Sequence, residues 1–68
     1  MTDKNLLMSA MAAKGYNGSA LAKKLELSRV SFSYKLNSKR PFTTDEIGKI
    51  YDLLELTPEQ TMMIFFGK

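Results

Sequence analysis

The chain has 68 residues, with ten Lys and Arg against seven Asp and Glu for a formal charge of +3, and it contains neither Cys nor His. That length allows one domain. The missing residue types remove the thiol nucleophile, the imidazole base, the disulfide and the usual zinc ligands. No carboxylate is paired with a pocket-forming pattern, so the expectation is a non-enzyme with no cofactor, metal or small-molecule substrate.

An apolar fraction of 44% with 25% charged residues is ordinary for a globular domain. No apolar run approaches the ~20 residues that span a bilayer, and Met1–Asn5 lacks the charged-then-apolar pattern of a secretory signal. A cytoplasmic protein with no membrane partner is expected. The charge is unevenly divided: residues 1–40 hold eight basic and two acidic residues, +6, and residues 41–68 hold two and five, −3. A one-sided positive field suits a polyanion, because each phosphate neutralised releases counterions. Lysines and arginines that merely solvate helix faces give the same count, so charge alone decides nothing.

No stretch alternates with strand period. Apolar residues recur instead at helical spacing, in five blocks at about 3–14, 18–25, 29–36, 44–54 and 58–65. The first has Thr2 as a candidate cap and a stripe of Leu6, Leu7, Ala10, Met11 and Ala13, with Gly15 where a C-cap favours a left-handed residue. Asn17 caps the second, whose inward side is Leu21, Ala22 and Leu25. Ser28 caps the third, with Phe32 and Leu36 one turn apart on its buried side. Residues 37–41 read as an exposed loop, since Pro41 biases Arg40 away from helix. Thr43 and Glu46 have capping-box spacing at the start of the fourth block, which is expected to bury Ile47, Ile50, Tyr51 and Leu54. Thr57-Pro58 repeats the start signal before the fifth. The expectation is an all-α bundle of about five short helices forming one domain over residues 1–68.

The segment Gly18–Asn37 carries the functional signal. A helix-turn-helix needs a small residue where two helices touch, apolar flanks, a tight turn and a capped second helix with an inward anchor. Ala22 fits the contact, Leu21, Leu25 and Leu27 the flanks, Ser28 the cap and Phe32 the anchor. On these residues, together with Arg29, Ser33, Asn37, Leu53, Leu54 and Leu56, the chain resembles the lambda-repressor-like family of Cro and repressor DNA-binding domains, and its size resembles the short Cro-type regulators of temperate bacteriophages. The resemblance implies a compact bundle of four or five helices whose third helix enters the major groove of double-stranded operator DNA. Glu26 stands where the family usually carries glycine, so the turn holds either a strained left-handed residue or another shape. Lys35-Leu36 departs from the family pattern by one position, which implies a rotated or longer end to the third helix.

The binding candidates follow from that implied placement. Arg29 opens the third helix, where a guanidinium can bond guanine O6 and N7 together. Ser28 caps and can also donate to phosphate. Val30 suits a thymine methyl or is plain surface, and Ser31 lies near the groove or in solvent. Ser33 and Tyr34 follow on the outward side, with Tyr34 reaching a phosphate or base edge, or packing on the fourth helix. Ser19 lies in the first turn of the second helix, where backbone N–H groups attract phosphate. Asn37, Lys39 and Arg40 read as backbone clamps, and Lys23, Lys24 and Lys35 as solvated surface. One helix cannot bury all of Met62–Phe66, since successive residues point about 100° apart. Met62, Met63, Phe65 and Phe66 are therefore candidates for self-association, in a homodimer matched to a palindromic operator. A tail that folds back is the competing account.

Two functions fit. The first is a sequence-specific, Cro-like phage repressor of the lysis/lysogeny switch. The second is an antirepressor or modulator using the same face for protein–protein interaction, in a heterocomplex with a phage repressor's DNA-binding domain. The acidic rear half, Val30, Tyr34 and the Met/Phe tail favour the second.

Overall fold

Every helix is started by a side chain three residues from the amide it caps. In the computed structural model, which describes residues 1–67, Asp3, Asn17, Ser28, Thr43 and Thr57 each accept from the backbone N–H three positions on. The helices they open are α1 (Lys4–Ala13), α2 (Gly18–Lys24), α3 (Arg29–Leu36), α4 (Thr44–Leu53) and α5 (Pro58–Phe65). Thr43–Glu46 and Thr57–Gln60 form full capping boxes. The described residues hold five helices and no strand, as the periodicity predicts. Lys68, the last residue of the expected domain, lies outside the described residues. The cap of α1 is Asp3, not Thr2: the Asp3 amide donates to the Ile64 carbonyl of α5 at 2.6 Å, which fixes where α1 begins.

The ends of the first four helices follow one pattern. After α1, Gly15 (φ 76°) donates to the Ala12 carbonyl and Tyr16 to that of Met11, a Schellman motif. The ends of α2, α3 and α4 repeat both bonds with Glu26 (φ 59°), Ser38 (φ 62°) and Glu55 (φ 52°) in glycine's place. The turn between α2 and α3 therefore keeps the left-handed shape despite its glutamate. It holds because Leu27 and Leu56, one residue beyond Glu26 and Glu55, pack on or into the core.

The core draws on all five helices: Leu7 and Met11, then Leu21, Ala22 and Leu25, then Phe32, then Ile50 and Leu54, then Ile64 and Phe65. Phe42, from the loop before α4, sits between two other rings. Its centroid lies 6.1 Å from Phe32 and 5.5 Å from Phe65, edge to face in both cases. The apolar stripes are narrower than the sequence suggests. Leu6 and Ala13 of α1 and Tyr51 of α4 lie at the surface, and on α1 Leu7 and Met11 enter the core with Ala10 packed at its edge. Among the described residues no helix is long and apolar enough to cross a membrane.

Candidate nucleic-acid interface

With Phe32 buried and Leu36 half-buried on one side of α3, helical geometry turns Val30, Ser33, Tyr34 and Asn37 away from it, while Arg29, three residues before Phe32, begins on the Phe32 side and is exposed because it stands at the open start of the helix. All five are exposed. Val30 is 62% and Tyr34 46% accessible, and neither belongs to the core. Ser31 lies on the flank of that face, half-buried. Ser28 spends its hydroxyl oxygen on the Ser31 amide at 3.0 Å, which leaves its O–H free to donate.

Arg29 is tied to α2: its Nη1 donates to Ser19 Oγ, linking the first turns of the two helices. A guanidinium has five N–H donors, so the link orients Arg29 while leaving donors to spare. At the other end of α3, Asn37 donates to the Ser33 carbonyl at 2.8 Å and accepts from Lys4 Nζ at 3.1 Å. Lys4 thus joins this face from the start of α1. No local signal marks it, since 33 residues separate it from Asn37. Ser38 donates to the Thr2 carbonyl at 3.3 Å, and Lys39 and Arg40 follow, both exposed. The face and its flanks thus bring together Ser19, Ser28, Arg29, Val30, Ser33, Tyr34, Asn37, Lys39 and Arg40 of the expected set, with Ser31 half-buried at the edge.

Lys35 is not solvated surface. It lies on the inner flank of α3 with its Nζ 2.7 Å from both carboxylate oxygens of Glu46. Its placement three residues after Phe32 accounts for the displaced apolar pattern: the helix still ends at Leu36, neither lengthened nor apolar at that position. Burial alone would raise the Glu46 carboxyl. Hydrogen bonds from Lys35 and from the Thr43 amide, with the charge of Lys35, outweigh it and hold the group below its ordinary value. The pair pins α3 to the start of α4 and withdraws one cation from the outward field.

The apolar run in α5 divides cleanly. Phe65 is 5% accessible and packs on Phe42, so it belongs to the core and drops out of the candidate self-association set. Met62, Met63 and Phe66 remain exposed on the opposite arc. Beside them Leu6, Ala10, Ala13 and Met63 line an apolar groove of about 410 Å³ between α1 and α5.

These features define a small all-helical protein with one exposed helix face flanked by cations. The chain belongs to the family described as "Protein of unknown function (DUF739)", whose model matches residues 8–68. No curated protein and no solved structure matches it.

Proposed function

We propose that the chain is a sequence-specific DNA-binding transcriptional regulator, a Cro-like phage repressor that reads the major groove with α3 in a bacterial host cytoplasm. The observation that carries this reading is the outward face of α3. Val30, Ser33, Tyr34 and Asn37 lie on one exposed side of a capped helix, with Arg29 exposed at its start beside Ser19, Lys4 at its far end and Lys39 and Arg40 just beyond. In this reading Arg29 contacts a base edge, Val30 meets an apolar base group, and Ser19, Ser28, Asn37, Lys39 and Arg40 hold phosphates. Met62, Met63 and Phe66 serve a two-fold dimer whose second α3 reads the other half-site.

Fluorescence anisotropy on DNA from the flanking promoters tests it. The parent should bind one site above random DNA, with log affinity falling by about 0.9 per phosphate contacted for each unit of log salt. Arg29→Ala should weaken the specific site by about 1–3 kcal/mol. Equal binding of parent and variant to specific and random duplexes would reject the reading.

One observation favours a second reading. Val30 and Tyr34 place exposed apolar surface at the centre of the same face, and such side chains anchor protein partners. In that case the chain is an antirepressor that covers a phage repressor's DNA-binding domain. Co-expression with a neighbouring repressor and size-exclusion chromatography separate the two, since a mixed complex that no longer shifts DNA belongs to the second.

A further inference from the structure

The loop after α3 turns back over the end of α5 and leaves a half-open cleft of about 290 Å³. Its floor is apolar, formed by Phe42, Ile47 and Phe65, with the exposed ring of Phe66 as a lip. Lys39 and Arg40 stand on its rim, and neither forms an ion pair among the described residues. Among the described residues no acidic side chain lines it.

The two halves of the cleft ask for different things. The exposed ring of Phe66 and the half-buried Ile47 gain free energy by shedding water, over Phe42 and Phe65, which the core already closes off. The cations gain from an anion held where bulk solvent is partly excluded. Inorganic phosphate would meet the cations and leave the floor wet, and a neutral oil would do the reverse. Only a molecule with an anionic head on an apolar body satisfies both. The volume is at the lower end for small-molecule sites, which suits a short acyl or aryl group.

We propose that this cleft binds a small amphiphilic anion, a carboxylate on a short apolar body, with its head on Lys39 and Arg40 and its body over Phe42, Ile47 and Phe65. The consequence rests on the DNA-binding reading: the same two cations are the phosphate clamps beyond α3. Occupancy removes them from the DNA, so the ligand is an effector that competes with operator binding, and DNA in turn weakens the ligand by the same factor.

Amide-resolved NMR titration of the full chain with decanoate below its micellar concentration is the test, run beside decanol and inorganic phosphate. Decanoate should saturate, with shifts centred on Ser38–Phe42, Ile47 and Phe66. Decanol should bind about tenfold more weakly, the loss of one charge-assisted contact, and phosphate should not move Ile47 or Phe66. The double variant Lys39→Gln, Arg40→Gln alters two exposed side chains and should bring decanoate to the level of decanol with an unchanged helical spectrum. Equal affinities for decanoate and decanol, shifts centred on the α1–α5 groove, or full decanoate binding by the double variant would each overturn the proposal. Operator binding without saturable decanoate binding overturns the cleft alone. Saturable decanoate binding in a protein that ignores DNA upholds the cleft and removes the effector role with the DNA reading.

Discussion

Replacing Glu26 by glycine should stabilise this protein, although it deletes an entire side chain. Glu26 sits at φ 59° in the Schellman turn between α2 and α3, and its exposed carboxylate forms no ion pair or side-chain hydrogen bond among the described residues. A Cβ in the left-handed region costs about 1–2 kcal/mol. Glycine removes that strain and returns roughly 0.5–1 kcal/mol of it through the larger entropy of its unfolded chain. The net gain is about 0.5–1 kcal/mol, which for a domain of this size raises the melting temperature by roughly 2–8 °C. Glu26→Ala is the control, because it also removes the carboxylate but keeps the Cβ, so the difference between the two variants isolates the backbone strain. Thermal melts by circular dichroism and urea titrations with a common slope would measure it. If alanine stabilised as much as glycine, the gain would come from charge and the strain argument would be wrong. The same change at Glu55 should gain less, since it also removes the 3.2 Å ion pair with Lys14.

Other perturbations follow from the same geometry. Gly48→Ala should stabilise by about 0.5–1 kcal/mol, because Gly48 is inside α4 with nothing within 4 Å of a built Cβ; an unchanged urea midpoint would count against it. Phe42→Ala should cost about 3–5 kcal/mol, since it removes the ring between Phe32 and Phe65, and a chemical melt would show most of that loss. Lys35→Ala should cost about 1–2 kcal/mol by stranding the Glu46 carboxylate. The folded-state pKa of Glu46 is depressed from its ordinary value of 4.5, so its contribution is present above that value and lost as pH falls through the lower folded one. Glu46→Gln should therefore flatten the acid limb of the stability curve below about pH 5, and an acid limb as steep as the parent's would contradict the assignment.

The helix starts were legible in the sequence because N-capping is local: Asn17, Ser28, Thr43 and Thr57 each act within three residues. Thr2 and Asp3 are adjacent residues of capping type, and the choice between them is made by a bond to α5, which no local pattern contains. The ends were half-hidden. Gly15 announces its turn, whereas Glu26, Ser38 and Glu55 take the same conformation against their own preference, the first and last held by the packing of Leu27 and Leu56. In Met62–Phe66 every residue is apolar, so the pattern carries no phase. The neighbouring helices decide that Ile64 and Phe65 point inward. On the candidate face, Val30, Ser33 and Tyr34 were readable from their offset to Phe32, and Arg29 from its place directly after the Ser28 cap. Lys4 and the Lys35–Glu46 pair were not, since each depends on where a separate helix lands.

Anchoring and display are separate tasks along α3. Ser28 starts the helix, Phe32 and Lys35 fasten it to its neighbours, and Val30 and Tyr34 contribute to neither. Mutations at those two positions should therefore be nearly silent for folding while redrawing whatever the helix touches. A scaffold arranged in this way lets a lineage exchange one target for another in single steps, with no stability debt accumulating between them.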